Sequence, residues 1–210
     1  MSVRIGIVDG GLGNVRSVVN ALRHIGAEPV PSNEAAVLGH LPALILPGVG
    51  AFTAGMEALR RHGLVEVLRD HAASGRSLLG ICLGMQLLFD EGEEFGRCAG
   101  LRLLRGSVTR LEVDAKLPHV GWNELAPPAP ERWRGSLLAD EPAGVQAYFV
   151  HSYAARPASE DVVLSTATYG GRSFCAAVAR GAVVGTQFHP EKSGEAGLRM
   201  LERFIAGVRR

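Results

Sequence analysis

The sequence predicts an α/β fold of three layers around a mixed, mainly parallel sheet, in a single domain that spans residues 1–210. In the first half, short apolar runs alternate with amphipathic segments, which is typical of parallel βαβ units. After residue 100, short stretches such as SVTRLEV and VVLSTATY indicate antiparallel strands joined by tight turns. A chain of 210 residues can bury a sizeable core as one unit.

The first predicted unit is a strand, a glycine turn and a helix. Residues 3–9 (VRIGIVD) form a buried strand that ends in the turn GGLGN. Apolar residues then recur at helical spacing, with Asn14 as the N-cap and Gly26 as the stop. The turn lacks the G-x-G-x-x-G spacing, and the next segment, AEPVPS, does not end in an acidic residue, so we do not expect dinucleotide binding.

Two more buried strands follow in the first half. Residues 43–52 (ALILPGVGAF) form a strand that breaks at Pro47, and residues 56–61 and 64–73 form helices after it. Residues 76–82 (RSLLGIC) form the third strand, which is followed at once by an apolar helical run, LGMQLLF. This order places Cys82 at the end of a strand and the start of a helix.

The second half closes with a hairpin and a helix. In SFCAAVARGAVVGTQF, Arg180-Gly181 is the predicted hairpin apex, and residues 126–131 (APPAPE) are a surface loop. The closing helix presents one apolar face, made of Leu198, Leu201, Phe204, Ile205 and Val208.

Composition narrows the class of protein. The formal net charge is +1, which gives no electrostatic footprint for nucleic acid or an anionic membrane, and we expect neither partner. Three widely spaced cysteines make neither a disulfide framework nor a zinc ligand set, so we expect no metal and a reducing compartment. No apolar run reaches the length of a membrane span, and the N-terminus lacks a signal-peptide pattern, which predicts a cytoplasmic protein.

The segment LGICLGM is typical of a nucleophile elbow with cysteine in the serine position. Gly80 and Gly84 lie two residues before and after Cys82, where so tight a turn leaves room for glycine only. The start of the following helix favours a thiolate and points backbone N–H groups at a developing oxyanion. The motif alone is also compatible with a buried structural cysteine, since free cysteine is among the most buried residue types.

A cysteine nucleophile needs a base and a group to orient that base. In GTQFHPEKSG, His189 and Glu191 lie two residues apart after an apolar strand, so extended backbone projects both side chains to the same side. Pro190 biases His189 towards extended backbone. Taken alone, His189 could be a surface or core histidine.

The segment PGVG, residues 47–50, ends another buried strand and can expose successive N–H groups to an anion. A proline and glycine turn after a strand is often only a turn. The position of PGVG at the end of a strand favours the anion-binding interpretation, because ligands of open parallel sheets bind beyond the carboxyl ends of the strands.

In this order, PGVG, GICLGMQLLF and GTQFHPEKSG resemble the class I glutamine amidotransferase family, and the resemblance extends over residues 3–204. Four further segments, GNVRSV, LPHVGWNEL, YFVHSY and HPEKSGEAGLRML, are similar to members of that family that act in histidine biosynthesis. The resemblance implies a flavodoxin-like fold, glutamine as the substrate and no cofactor.

The same resemblance implies a role for each residue of a triad. Cys82 attacks the side-chain amide of glutamine, and His189 accepts the thiol proton and later protonates the departing ammonia. Glu191 orients the imidazole and stabilises its charged form. A γ-glutamyl thioester forms, and water releases glutamate from it.

Further residues around the thioester are implied in the same way. Backbone N–H groups of Leu83, Val49 and Gly50 would bind the oxyanion. The segments that hold glutamine would include Gly48, Gln86, His151, Ser152 and Tyr153. Gln86 could instead cap or solvate a helix, and HSY could be an ordinary strand end.

The resemblance also implies a partner. In such members, ammonia passes to a separate cyclase subunit with a (β/α)8 barrel, so a heterodimer is expected. Asn14, Trp122, Tyr148 and Lys192 fall in segments that resemble the subunit interface, although Trp122 could equally be a core residue.

Three alternatives stay open on the sequence alone. The chain could be another class I glutaminase, such as one that serves pyridoxal phosphate synthesis, although PHVGWN and PEKSG argue against it. It could be a cysteine hydrolase of glutamyl peptides that needs no synthase partner. It could also be an inactive binding or regulatory protein that keeps the fold, which the intact Cys82, His189 and Glu191 argue against.

Overall fold

The computed structural model describes residues 2–11 and 13–208, which contain thirteen strands and six α-helices. The strands are β1 (Arg4–Val8), β2 (Glu28–Ser32), β3 (Ala43–Leu46), β4 (Ser77–Ile81), β5 (Phe89–Gly92), β6 (Cys98–Ala99), β7 (Leu104–Arg110), β8 (His119–Glu124), β9 (Gln146–His151), β10 (Tyr153–Pro157), β11 (Val163–Tyr169), β12 (Arg172–Arg180) and β13 (Val183–Thr186). The helices are α1 (Val15–His24), α2 (Ala35–Leu38), α3 (Phe52–Arg61), α4 (Leu64–Ala73), α5 (Leu83–Leu87) and α6 (Gly194–Val208), with 3-10 turns at Glu160–Val162 and Pro190–Lys192. Within residues 2–11 and 13–208, no helix combines the length and apolarity that crossing a membrane requires.

Seven strands form the central sheet, in the order β11-β12-β13-β4-β3-β1-β2. The contacts from β13 through β4, β3 and β1 to β2 are all parallel. The strand β12 is antiparallel to both of its neighbours, and only two residues separate it from β13, at the predicted apex. The mixed, mainly parallel sheet predicted from the sequence is therefore confirmed.

Alternation along the inner strands produces the three layers. Ile7, Ile45 and Leu79 lie in one buried cluster with side chains of α1 and α6. Leu44 and Leu78 lie in another, with side chains of α3, α4 and α5. Because successive strand residues point to opposite faces, the apolar runs are covered by helices on both sides.

The strand β2 contains two prolines and lies at the edge of the sheet, where it pairs only with β1. Pro29 and Pro31 have no N–H to give to a ladder, which confines such a segment to an edge.

A smaller sheet and a ribbon lie beside the central sheet. The smaller sheet has the order β10-β7-β5-β6, and β8 pairs with β9 alone. The side chains of His119 and Phe149 are buried in the protein interior, whereas Val120 and Trp122 are exposed at 56% and 53%. The ribbon therefore presents apolar side chains to solvent.

Two local expectations need correction. The apolar run after Cys82 is helical only to Leu87, and Phe89 already pairs with β7. The reason is that carbonyls of the last turn accept bonds from the chain beyond, as Leu88 O does from Leu104 N at 2.9 Å. Asn14 does precede α1, but its side chain makes no capping bond.

The carboxyl ends of β3, β4 and β13 lie at the same edge of the central sheet, with β4 between the other two. Gly80 and Gly84 allow α5 to pass close to the ends of β3 and β4. A Cβ on Gly84 would lie 1.7 Å from the carbonyl oxygen of Leu46. A Cβ on Gly80 would lie 2.7 Å from the carbonyl of Gly84. The steric argument for the two glycines therefore holds on both sides of the turn.

We predict that Gly84→Ala lowers the free energy of unfolding by about 2–4 kcal/mol, because strand backbone must move to admit the methyl group. Urea denaturation followed by circular dichroism measures this difference. The matched control is Gly207→Ala on the exposed side of α6, where a Cβ meets nothing within 4 Å and helix propensity favours alanine. Equal stability of Gly84→Ala and the wild type would contradict the close crossing.

Candidate active site

Cys82 occupies the turn between β4 and α5 with φ 55° and ψ −108°, a conformation that residues other than glycine rarely adopt. Its N–H donates to Thr186 O at 2.7 Å, and its carbonyl accepts from Gln86 N at 3.2 Å. Such backbone costs about 1–3 kcal/mol and persists only where its surroundings enforce it. Here the neighbouring strand and helix hold it, as expected for a nucleophile elbow.

His189 and Glu191 follow β13, the strand next to the cysteine strand. The Nδ1–H of His189 donates to Oε1 of Glu191 at 2.7 Å, and both side chains are completely buried. The backbone of His189 is extended, and its N–H donates to Tyr148 O at 2.9 Å. The carboxylate thus fixes the ring with Nε2 as the nitrogen free to take a proton.

Cys82 lies beside the segment that carries His189, because its N–H donates to Thr186 O and its sulfur accepts from Gln187 Nε2 at 3.7 Å. Burial alone lowers the pKa of His189, but the sulfur of Cys82 and the carboxylate of Glu191 raise it to about 9. Nε2 of His189 has no hydrogen-bond partner within the described part of the chain. The structure therefore places the predicted cysteine, histidine and glutamate together in one buried group.

The three predicted oxyanion donors, Leu83, Val49 and Gly50, lie near the cysteine, but the N–H of one of them already makes a hydrogen bond. Leu83 N–H donates to the carbonyl of Gly48 at 3.3 Å. Gly50 has φ +103°, and Val49 is 40% exposed. In this conformation Leu83 N–H cannot serve an oxyanion until the peptide of Gly48 turns away.

A cavity of about 390 Å³ opens over the sulfur of Cys82. Its walls are residues 49–51, the end of β9 and the loop after β5. The lining residues include Val49, Gly50, Cys82, Leu83, Gln86, Glu94, Phe95, His151, Ser152 and Tyr153. Most residues predicted to hold glutamine therefore surround one space.

Gln86 neither caps α5 nor faces solvent. It is buried, and its Nε2 donates to Tyr153 O at 2.9 Å and to Oε1 of Gln187 at 3.0 Å. Gln187 in turn directs Nε2 at the Cys82 sulfur, at 3.7 Å. Sequence reasoning missed Gln187, although it lies two residues before His189.

Glu94 is a second residue that sequence reasoning missed. Its Oε2 accepts from Phe52 N at 3.0 Å, its carbonyl accepts from Thr53 Oγ1, and it lines the cavity. Phe95 follows with φ 58° and is 88% exposed at the cavity mouth. The segment EGEEFGR offered only a run of acidic residues as a signal.

His151 contributes backbone to the cavity, while its ring is buried. Nδ1 donates to Tyr153 O at 2.9 Å, so Nε2 accepts, at 3.2 Å, from Nδ1 of His119. Burial, together with the charges of His119 and His189, lowers the pKa of His151 to about 3, although the bond to Tyr153 O raises it. This ring is therefore neutral and structural.

Three of the four predicted interface residues lie together. The rings of Trp122 and Tyr148 are 6.2 Å apart, and Lys192 Nζ lies 6.0 Å from the Tyr148 ring. Trp122 is exposed, so it is not a core residue. Asn14 differs, because its side chain points at Glu191. Over residues 2–11 and 13–208, no three His, Cys, Asp or Glu side chains cluster as a metal site would require.

We predict that the His189 ring titrates with a pKa of about 9, and that Glu191→Gln lowers this pKa because it removes the carboxylate that stabilises the imidazolium. NMR of the labelled ring measures both values. A pKa raised from 6.5 stabilises the fold fully below pH 6.5, and this contribution is lost as the pH rises through about 9. The stability deficit of Glu191→Gln should shrink over that window, and a deficit that grows with pH would contradict the ion pair.

Comparison with known proteins agrees with this geometry. The sequence pattern of the family described as "Glutamine amidotransferase class-I" matches residues 6–208. "Imidazole glycerol phosphate synthase subunit HisH" of Moorella thermoacetica is 46% identical over 205 residues, covering 98% of this chain and 95% of that protein. The protein of the same name from Symbiobacterium thermophilum is 48% identical over 198 residues, covering 94% and 91%.

A solved structure described as "Crystal structure of glutamine amidotransferase" has the same fold. Its TM-score is 0.74 at 23% identity, with 97% of each chain covered. The α/β fold predicted from the sequence is therefore confirmed by comparison as well as by the strand order. The chain belongs to the class I glutamine amidotransferase family.

Proposed function

We propose that this chain is the glutaminase subunit of an imidazole glycerol phosphate synthase. The observation that carries the proposal is the buried Cys82, His189 and Glu191 group at one end of the sheet, in which Cys82 lines a cavity. The relatives at 46% and 48% identity carry that subunit name and align with nearly the whole chain. We further propose that residues 1–210 act as one domain, in the cytoplasm.

Hydrolysis begins with the proton of the Cys82 thiol held on Nε2 of His189, and the sulfur attacks the side-chain carbonyl carbon of glutamine. The C–N bond breaks as His189 returns the proton to the nitrogen, which leaves as ammonia and leaves a γ-glutamyl thioester on the sulfur. Water then attacks the thioester, His189 takes its proton and returns it to the sulfur, and glutamate departs. Glu191 stabilises the imidazolium in each half of the cycle.

Substrate binding uses the cavity walls. The carboxylate of Glu94 attracts the α-ammonium group of glutamine, and the backbone of Ser152 and Tyr153 lies opposite. Gln86 holds the carbonyl of Tyr153 in place. Val49 and Gly50 line the cavity near the reacting carbonyl, and Gly48 precedes them with its carbonyl accepting from Leu83 N–H.

The partner is a cyclase subunit with a (β/α)8 barrel, which uses the ammonia to make imidazole glycerol phosphate and an aminoimidazole carboxamide ribotide. The exposed Trp122 and Val120, with Tyr148 and Lys192 beside them, form the docking surface. The bond from Leu83 N–H to Gly48 O supports a low activity for the chain alone. Docking would complete the oxyanion hole and so couple hydrolysis to use of the ammonia.

We predict weak glutamine hydrolysis by the chain alone and a large increase with the cyclase subunit and its nucleotide ligand. Glutamate release, measured with and without the partner, tests this expectation. Equal activity in both conditions would favour a free hydrolase of glutamyl compounds.

In the same assay, Cys82→Ala should lower hydrolysis roughly 10⁴-fold or more while folding and partner binding persist. The matched control is Cys98→Ala, which removes a partly buried thiol that does not line the cavity. Glutaminase activity retained by Cys82→Ala would refute the assignment.

A further inference from the structure

Asn14 has an unusual conformation for the residue that precedes a helix. It adopts φ 65° and ψ 0°, where a capping residue is normally extended, and its side chain makes no bond to the first turn of α1. Its Nδ2 instead lies 2.5 Å from Oε1 of Glu191 and 3.2 Å from Nδ1 of His189. The side chain is thus directed away from its own helix and towards the triad.

Only one of these two contacts is a hydrogen bond. Nδ1 of His189 carries a hydrogen that it donates to Oε1 of Glu191 at 2.7 Å, so Nδ1 cannot also accept from Asn14. The Asn14 amide therefore donates to the carboxylate, and Oε1 accepts two donors. The amide nitrogen must face the carboxylate, because its oxygen there would repel Oε1.

The carboxylate has no other anchor in the described part of the chain. The Glu191 side chain is completely buried, and Oε2 has no hydrogen-bond partner among residues 2–11 and 13–208. A buried carboxylate with one free oxygen could rotate away from the imidazole, since rotation about its last bond meets a low barrier. The Asn14 amide is the group that opposes this rotation.

The helix that follows Asn14 is held in place. α1 packs on the sheet through Val18 and Leu22, both completely buried. The left-handed backbone at Asn14 is tolerated by asparagine better than by most residues. Asn14 therefore links the start of α1, which is packed on the sheet, to the triad residues that follow β4 and β13.

We propose that Asn14 is a positioning residue that holds the Glu191 carboxylate against Nδ1 of His189. The idea rests on the proposed glutaminase function only for its kinetic consequence. The ionisable groups around the His189 ring are Cys82, Glu191 and His151, with the Tyr148 ring 6.5 Å away. Asn14 acts on His189 through Glu191, and has no contact with the cysteine.

The test uses Asn14→Gly, because glycine keeps the left-handed backbone and removes only the amide. We expect the pKa of His189 to fall by roughly one pH unit from its wild-type value, as the carboxylate leaves the ring. In the complex with the cyclase, we expect kcat to fall roughly tenfold to hundredfold with KM for glutamine unchanged. NMR of the His189 ring and steady-state kinetics measure the two effects.

The matched control is Arg102→Gly. Arg102 also has a left-handed backbone, at φ 57°, is exposed, and lies outside the cavity over Cys82. It should leave both the pKa of His189 and kcat unchanged. In a Glu191→Gln background, Asn14→Gly should no longer shift the pKa of His189, because the two residues act in series.

A wild-type measurement covers the case in which Asn14→Gly fails to fold. The side-chain amide resonance of Asn14 should titrate with the same midpoint as the His189 ring. An amide resonance that ignores this titration, or a His189 pKa unchanged in folded Asn14→Gly, would overturn the proposal. The NMR readouts need no glutamine, so failure of the glutaminase assignment is detected separately by the Cys82→Ala assay.

Discussion

The close crossing of α5 over the ends of β3 and β4 is the constraint on which the rest of the site depends. Gly84 packs against the carbonyl of Leu46, and no side chain fits between them. This contact forces Cys82 into its unusual backbone conformation and fixes the start of α5 beside the PGVG turn. The same crossing that places Cys82 at the cavity therefore also determines where the predicted oxyanion donors lie.

Two buried histidines near this cavity show how surroundings set their charge. Burial lowers the pKa of both His151 and His189. His151 faces a carbonyl and another imidazole, so it stays neutral and holds the strand end. His189 faces a sulfur and a carboxylate, which outweigh burial and favour the imidazolium. The same kind of side chain is thus neutral in one place and favoured in its charged form in the other.

Sequence reasoning predicted the parts of this architecture that local pattern encodes. The parallel strands, the glycines around Cys82 and the pair of His189 and Glu191 all follow from spacing and sterics. The early end of α5 did not follow, because bonds from residues 101–104 decide it. Gln187 and Glu94 were missed for a related reason, since their roles arise from tertiary contacts with Cys82 and with α3.

The occupied N–H of Leu83 could not be predicted from the sequence either. A motif shows which donors are adjacent to the nucleophile, but the orientation of a single peptide depends on a balance of nearby bonds. In this conformation the balance favours Gly48 O over an open oxyanion hole. Cys82 and His189 are thus in place for the proposed reaction, whereas the N–H of Leu83 would become available only after a change in the backbone at Gly48.

Covalent labelling tests the central claim, that Cys82 is the nucleophile, most directly. The complex with the cyclase would be incubated with a glutamine analogue that carries an electrophilic diazoketone in place of the amide, and modified peptides would be mapped by mass spectrometry. The account predicts a single adduct on Cys82, prevented by excess glutamine. An adduct on Cys98 or Cys175 that abolishes hydrolysis, or full activity with Cys82 modified, would contradict it.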